Sequence, residues 1–254
     1  MSEGNKEVLD IQKATGDSGL SAFRKYQDLV VGRRRLWDLL KYEFFNTFLR
    51  GMPGALGLAL RRILYPLWLG AVGRNVAFGV GVTIRHPHKI RIGDNAVIDD
   101  HCLLDAKGSD NDGITIGAGV FIGRNTIIHC KNGSVVIRDK ANIGFNCDLA
   151  ASGKIEVGEQ VFIAAYSYLV GGGHDYTALD VPVMEQGRTA KGIRVGRGAW
   201  IGAGVIVLDG VDIGEDALVG AGAVVTQSLS DRAVAVGIPA RVVRVRGDAV
   251  PSAR

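Results

Sequence analysis

The sequence predicts an all-β solenoid: a parallel β-helix of triangular cross-section with about seven coils, preceded by an N-terminal α-helical extension. Three observations predict it. A bulky apolar residue recurs every six positions from about residue 72 onward. The chain has 36 glycines among its 254 residues, roughly twice the usual share, and many directly follow the bulky residue. The third observation is a single long interruption of the repeat. Neither a collagen period nor a low-complexity linker fits this spacing.

Each six-residue unit predicts a short strand followed by a tight corner, and three units make one coil. The bulky anchors of successive coils stack into ladders inside the prism. A small or β-branched residue four positions after the anchor fills the remaining interior, and we expect the glycines to relieve backbone strain at the corners. In sets of three, the anchors are Val72, Phe78, Ile84; Ile92, Ile98, Leu104; Ile116, Ile122, Ile128; Ile137, Ile143, Leu149; Val157, Ile163, Leu169; Val195, Ile201, Val207; and Ile213, Val219, Val225.

One interruption of the repeat is much longer than the others. Val195 and Ile213 open successive coils 18 residues apart, whereas Val157 and Val195 lie 38 residues apart. About twenty residues therefore leave the solenoid, and we predict a protruding loop over residues 171–192. A long loop on an otherwise compact wall is commonly functional.

Residues 1–71 differ in kind from the repeat domain at 72–246 and the tail at 247–254. Apolar and aromatic residues recur there at helical spacing. Between positions 20 and 75 the chain has ten basic residues and only three acidic ones. Two interpretations stay open: helices that cover the open first coil, or a basic amphipathic surface, residues 20–72, that rests on an anionic membrane. Arg61 and Arg62 would cost a spanning helix about 5–7 kcal/mol, which argues against one.

Composition excludes several other classes of protein. Three cysteines, Cys102, Cys130 and Cys147, make no disulfide framework, and we expect Cys102 and Cys147 to pack in the small interior slot. The polar, acidic start does not resemble a secretory signal, so we expect a cytoplasmic protein. Aromatic residues alternate with basic ones only in the helical extension, which argues against nucleic-acid binding.

Four motifs follow one another in the second half of the chain: GGGHDY at 171–176, AWIGAG at 199–204, VGAGAVVT at 219–226 and GIPARVVR at 237–244. With the repeat, they resemble the hexapeptide-repeat acyltransferases, and most closely the branch of galactoside, maltose and polysaccharide O-acetyltransferases. The resemblance implies a left-handed β-helix, a homotrimer, and acetyl-CoA bound between neighbouring prisms.

The resemblance matches His174 to the catalytic histidine of that family. Transfer of an acetyl group from a thioester to a hydroxyl requires removal of the hydroxyl proton, and an imidazole suits that task. The alternative is an ordinary surface histidine. Asp175, its immediate neighbour, is poorly placed to orient the same ring, and we interpret it as a turn residue.

The resemblance also assigns residues to the coenzyme and the acceptor. Those matched to the coenzyme are Trp200 beside its arm, Ala203, Ala221 and Thr226 along the pantetheine groove, and Arg241 and Arg244 near its phosphates. Asn146 matches a substrate-binding position. Two departures stand out: Gln227 where lysine is common, and Gly144 where an acceptor-contacting asparagine is usual. The acceptor therefore cannot be copied from the galactoside or maltose enzymes.

We therefore expect an acetyl-CoA-dependent O-acetyltransferase that acts on a sugar hydroxyl of a saccharide, glycan or lipid-linked glycan, in the cytoplasm or at the inner face of the membrane. Transfer to nitrogen, another acyl donor, or a non-catalytic trimeric scaffold remain the alternatives. A metal is not expected, because His86, His88, His101 and His129 lack the spacing of the solenoid carbonic anhydrases.

Overall fold

The computed structural model of the protein describes residue 19 and residues 21–247. Its N-terminal part confirms the predicted helical extension. Helix α1 (Ala22–Tyr26) continues as a π-helical turn (Gln27–Val31), α2 (Leu36–Phe44) continues as a second π-helical turn (Phe45–Leu49), and α3 (Gly54–Leu64) leads into a 3₁₀ turn (Tyr65–Leu67).

Short strands make up the rest of the described chain. The first four coils contain β1 (Ala71–Val72), β2 (Ala77–Phe78), β3 (Thr83–Arg85), β4 (Ile90–Ile92), β5 (Val97–Ile98), β6 (Leu103–Asp105), β7 (Ile114–Ile116), β8 (Phe121–Ile122), β9 (Ile127–Cys130), β10 (Val135–Ile137), β11 (Asn142–Ile143) and β12 (Asp148–Ala151), with a 3₁₀ turn at Pro87–Lys89. The fifth coil contains β13 (Ile155–Val157), β14 (Phe162–Ile163) and β15 (Tyr168–Gly171). After it come β16 (Gly173–His174), a 3₁₀ turn (Val183–Glu185), β17 (Arg188–Thr189), β18 (Ile193–Val195), β19 (Trp200–Ile201), β20 (Ile206–Val207), β21 (Asp212–Ile213), β22 (Leu218–Val219), β23 (Val224–Val225), β24 (Ala233–Val236) and β25 (Arg241–Val245).

Parallel pairing between successive coils builds three faces. Face A has the order β1-β4-β7-β10-β13-β18-β21, face B β2-β5-β8-β11-β14-β19-β22-β24, and face C β3-β6-β9-β12-β15-β20-β23. Residues 21–247 thus contain the seven predicted coils, and an incomplete eighth follows, in which Leu229 bridges Ile213 and β24 pairs with β22. The chain then reverses, and β25 runs antiparallel to β24.

The interior of the prism follows the repeat. Every predicted anchor is buried except Val72, which is partly buried at the first coil. Cys102 and Cys147 occupy the small interior slot as predicted. The buried hydroxyls of Thr126 and Ser167 donate hydrogen bonds to carbonyls of the next coil, so no polar cost arises there.

The expectation that the glycines after the anchors relieve backbone strain is wrong. A Cβ on Gly93 would lie 2.6 Å from the backbone nitrogen of Ala118, and one on Gly123 would lie 2.7 Å from that of Phe145. These positions need glycine because the next coil approaches too closely for a side chain. Left-handed backbone occurs two residues later, often at asparagine, as in Asn125 with φ 59°.

The helices cover the open end of the first coil, as the first of the two interpretations held. Phe45 stacks on Trp68 with ring centroids 4.8 Å apart, and Tyr65 contacts the anchor Phe78 at 4.9 Å. Arg61, only 2% exposed, donates hydrogen bonds to the carbonyls of Phe78 (2.9 Å), Leu49 (3.1 Å) and Met52 (2.6 Å). This guanidinium therefore joins the helices to the solenoid.

Replacement of Arg61 by methionine is expected to lower the free energy of unfolding by about 3 kcal/mol, because buried carbonyls lose a charged donor. Arg62→Met is the matched control, since exposed Arg62 donates only to the side chain of Asn75 among the described contacts. Urea unfolding of both variants checks the prediction, and equal losses would contradict it.

Candidate functional site

The long loop leaves the prism at the corner between faces C and A of the fifth coil. Gly171 still pairs with Ala151 in face C, so the loop begins at Gly172, one residue later than predicted. Its two ends meet in a small antiparallel sheet, in which Gly173 faces Thr189 and His174 faces Arg188. His174 is therefore held at the base of the loop by backbone pairing.

The surroundings of His174 leave one ring nitrogen without a partner. The side chain is partly exposed, yet Nδ1 is buried and makes no hydrogen bond to any residue that the structure describes. The loop exit is tight, since a Cβ on Gly172 would lie 2.4 Å from Cβ of Ser152. The described part of the chain thus fixes the position of His174 but not which nitrogen carries the proton.

Internal hydrogen bonds order the loop beyond His174. The carboxylate of Asp175 accepts from the backbone nitrogen (3.0 Å) and the hydroxyl (2.8 Å) of Thr177, as expected for a turn residue. The Gln186 amide donates to the carbonyls of Ala178 and Val181. The loop therefore has a defined conformation.

The tip of this loop exposes apolar side chains. Leu179 is fully exposed, and Tyr176, Val183 and Met184 of the same loop are exposed as well. Apolar groups that cluster on a projecting, ordered loop indicate a contact surface.

Face B carries a second exposed apolar row. Phe121, Phe162 and Trp200 occupy the same register position on β8, β14 and β19, with Asn142 of β11 between Phe121 and Phe162. Trp200 is 49% exposed. The rings of Phe162 and Trp200 lie 6.3 Å apart. On face A the corresponding outward positions include Arg91, Glu156 and Arg194. Trp200 thus stands on an apolar face of a prism whose face A is charged.

Three predicted residues lie at the corner between faces B and C. Ala203 and Ala221 are exposed there, one coil apart, and Asn146 lies two coils before Ala203 with a left-handed φ of 55°. Beside Asn146, the guanidinium of Arg124 lies 4.8 Å from the ring centroid of Phe145. This corner therefore offers small residues bordered by an aromatic and cationic group.

The remaining predicted residues lie near the C-terminal end of the prism. Thr226 and Gln227 are exposed at the corner between faces C and A of the seventh coil. Arg241 and Arg244 are exposed on β25, opposite Val236 and Val234 of β24.

Within one chain, the structure divides the predicted site into two groups. His174 and Thr226 lie at the corner between faces C and A. The other group lies on face B, on the strand added to it, or at the corner between faces B and C: Asn146, Trp200, Ala203, Ala221, Arg241 and Arg244. Because face B lies opposite the corner between faces C and A in a triangular prism, a single chain does not bring His174 beside Trp200.

Comparisons with known proteins agree with this architecture. Residues 192–227 match the family model described as bacterial transferase hexapeptide (six repeats). The chain is 34% identical over 133 residues to a probable acetyltransferase of Mycobacterium tuberculosis, a match to 52% of this chain and 44% of that protein. It is 37% identical over 130 residues to nodulation protein L of Rhizobium meliloti, over 50% of this chain and 68% of that protein. The chain belongs to the hexapeptide-repeat acyltransferase family.

Family membership identifies the solenoid as a left-handed parallel β-helix. Among solved structures, this hexapeptide-repeat acyltransferase is similar to AntD, an N-acyltransferase from Bacillus cereus in complex with dTDP and 3-hydroxybutyryl-CoA. The TM-score is 0.52 at 26% identity, over 72% of this chain and 86% of that one. The chain spans 44% of the length of the mycobacterial relative and 68% of that of the rhizobial one.

A histidine and aspartate pair that sequence reasoning missed lies on face C of this acyltransferase. Nε2 of His129 is 3.2 Å from Oδ1 of Asp148, on the neighbouring coil. Burial raises the pKa of Tyr168, one coil further, and the charge of Asp148 raises it as well. The two residues lie 19 positions apart, about one coil, and that spacing is the signal that could have found them.

The other reactive side chains are structural. Burial raises the pKa of Cys102 and of Cys130 to about 12, and it also raises that of Cys147, so these thiols are poor nucleophiles. Over residues 21–247 no three histidine, cysteine, aspartate or glutamate side chains converge in a way that could hold a metal ion.

Proposed function

We propose that the protein is an acetyl-CoA-dependent O-acetyltransferase that acts on a sugar hydroxyl of a saccharide, glycan or lipid-linked glycan. The observation that carries the proposal is the position of His174, which is held at the base of an ordered, projecting loop with Nδ1 buried and unpaired among the described residues. A ligand or a second chain can therefore supply the hydrogen-bond partner of this Nδ1 atom.

The chemistry needs one proton acceptor and one oxyanion site. His174 removes the proton from the acceptor hydroxyl while the oxygen attacks the thioester carbonyl carbon. The tetrahedral intermediate collapses with cleavage of the carbon–sulfur bond, and the imidazolium returns its proton to the departing thiolate. Backbone N–H groups of small residues at the loop base or a facing coil stabilise the oxyanion. No acyl-enzyme and no metal is required.

We propose a homotrimer as the active form. Trp200 lies on face B and Ala203 at the corner between faces B and C, whereas His174 lies at the corner between faces C and A, so a second copy has to bring Trp200 and Ala203 to His174. The exposed apolar tip around Leu179 and the apolar row on face B supply the surfaces for such contacts. Coenzyme A would then lie between neighbouring prisms.

The relatives support acyl transfer and also favour one alternative. The mycobacterial relative is a probable acetyltransferase, whereas AntD is an N-acyltransferase in complex with a longer acyl-CoA. An amino sugar and a hydroxybutyryl donor are therefore the second candidates for acceptor and donor.

Thermal unfolding with each thioester, followed by thiol release with two acceptor panels, tests the function. A thioester at 100 times its dissociation constant should stabilise the fold by about 2.7 kcal/mol. We expect protection by acetyl-CoA and thiol release with neutral sugars. Faster release with amino sugars would establish the N-acyltransferase instead, and a lack of protection by either thioester would favour the scaffold.

We further propose that the helical extension contacts the inner surface of a membrane. None of the helices in the described residues combines the length and the apolar character needed to cross a bilayer. Two helical segments nevertheless expose large apolar side chains: Leu36, Trp37, Leu40, Phe44, Phe48, Leu56, Ile63 and Leu67. Exposed Arg35 and Arg62 and partly exposed Lys41 accompany them, and this combination suits an anionic lipid surface.

Replacement of both Trp37 and Phe48 by serine is expected to reduce binding to vesicles of phosphatidylglycerol and phosphatidylcholine by at least 10-fold, because two apolar side chains no longer enter the interface. Val243→Ser, on exposed β25, is the control. Vesicle flotation measures binding. Equal binding to pure phosphatidylcholine vesicles, or no effect of the double change, would contradict the proposal.

A further inference from the structure

A cavity of about 570 Å³ lies beside the π-helical turn that follows α1. Its other side is the corner between faces C and A of the first three coils. Its walls come from residues 28–33, from the segment 86–89 after β3, from 107–109 after β6 and from Asn132. The volume suits a small organic ligand. None of the residues assigned to acetyl transfer lines it.

Cationic side chains dominate this cavity. Arg33, Lys89 and Lys107 line it, and the one carboxylate on its wall, that of Asp28, accepts from Arg34 at 2.8 Å through both oxygens. Lys89 donates to the carbonyls of residues 108 and 109 and to the side chain of residue 111. The wall of the cavity is therefore positively charged. The hydrogen bonds of Lys89 also hold residues 108–111 in place beside it.

Two of these cations lack an ion-pair partner. Within residues 21–247, neither Arg33 nor Lys107 forms an ion pair or a side-chain hydrogen bond. Burial lowers the pKa of Lys107, opposed by the charge of Asp105 and assisted by those of Arg85 and Lys131. A partly buried ammonium without a partner is costly, and an anion in the cavity would remove that cost.

A buried histidine forms the rigid back of the cavity. His86 is 4% exposed, with Nδ1 3.3 Å from Oδ1 of Asp105 and Nε2 3.1 Å from the carbonyl oxygen of Asp28. Beside it, burial and the charge of Arg33 lower the pKa of His88 to about 4, so His88 is neutral at pH 7. The cavity therefore presents fixed polar groups together with its cations.

The cavity lies on the same edge of the prism as His174. Lys107 follows β6 of the second coil and His174 follows β15 of the fifth, both at the corner between faces C and A. Adjacent coils are ~4.8 Å apart, so the two lie about 14 Å apart along the edge. One extended ligand could reach both.

We propose that this cavity binds the diphosphate group of the acceptor, whose sugar extends along the edge toward His174. This assignment of the acceptor as a sugar diphosphate rests on the proposed acetyl transfer at His174. A diphosphate matches the excess of positive charge, and guanidinium and ammonium groups are the usual protein partners of phosphate.

Calorimetric titration with inorganic pyrophosphate tests the cavity itself. We expect pyrophosphate to bind the wild-type protein, and Lys107→Gln and Arg33→Gln each to weaken binding at least 10-fold. Arg194→Gln, which removes the same charge from face A, should leave it unchanged. Titrations with UDP and with farnesyl diphosphate distinguish a nucleotide-linked from a lipid-linked acceptor, and tighter binding of either one through Lys107 supports the proposal.

Pyrophosphate binding tests the diphosphate site separately from the proposed acetyl transfer. Pyrophosphate binding that survives in His174→Ala and is lost in Lys107→Gln supports the cavity regardless of turnover. Equal binding by wild type, Lys107→Gln and Arg33→Gln would overturn it. Loss of thermal protection by acetyl-CoA in Lys107→Gln would also overturn it, because the cavity would then hold the phosphates of the coenzyme.

Discussion

Replacement of His174 by alanine is expected to lower thioester turnover by about 10²–10⁴-fold, which is the usual contribution of a general base. Binding of acetyl-CoA should persist, because the imidazole acts on the acceptor proton and the coenzyme contacts are assigned to other residues. Backbone pairing with Arg188 holds position 174, so the alanine variant should keep the loop conformation. Steady-state thiol release and thermal protection by acetyl-CoA measure the two effects separately.

Two further histidines make this result specific. His101→Asn is the matched control, because asparagine tolerates the left-handed φ of 59° at this exposed corner. His129→Ala tests the pair with Asp148 on face C. If turnover were unchanged in His174→Ala and lost in His129→Ala, the general base would be His129 and not His174.

The second large effect concerns assembly. Leu179→Arg is expected to weaken the trimer about 10- to 100-fold, because an apolar side chain that buries against a neighbour contributes about 1.5–3 kcal/mol and the arginine would bury a charge. Turnover should fall with dilution in this variant and recover at high protein concentration. Light scattering across a dilution series gives the mass, and turnover in the same samples gives the activity.

Thr115→Arg adds the same side chain to the outward side of face A and serves as the control. It should leave both mass and turnover unchanged. An active wild-type monomer, or equal dissociation in the two variants, would contradict the intersubunit site.

The helical stretch over residues 36–49 has one buried apolar side and one exposed apolar side. Leu39, Tyr42 and Phe45 are buried, and the rings of Tyr42 and Phe45 both contact Trp68, whereas Trp37 and Phe48 are exposed. The sequence shows only that the segment is apolar and basic, because both sides of this helix carry apolar residues. Burial in the structure separates the side that covers the coil from the side left for lipid.

Sequence spacing predicted the solenoid almost completely, since a six-residue period leaves few ways to bury its anchors. It failed where residues distant in sequence meet. Arg61 is one of the ten basic residues between positions 20 and 75, yet it is buried and donates hydrogen bonds to three carbonyls. The glycines after the anchors allow close contact between coils rather than relieving backbone strain. The pair of His129 with Asp148, and the cavity beside His86, likewise need the stacking of coils to exist.

By itself, the sequence determined the coil number, the interior ladders and the projecting loop. These features are local, because periodicity and the length of one interruption specify them. The candidate base at His174 rests instead on the resemblance of the GGGHDY motif to the hexapeptide-repeat acyltransferases. The tertiary structure decided that His174 lies at the corner opposite the face that carries Trp200, and that Arg33, Lys89 and Lys107 converge on one cavity. Such convergence depends on which corners of successive coils align, and only the folded prism sets that alignment.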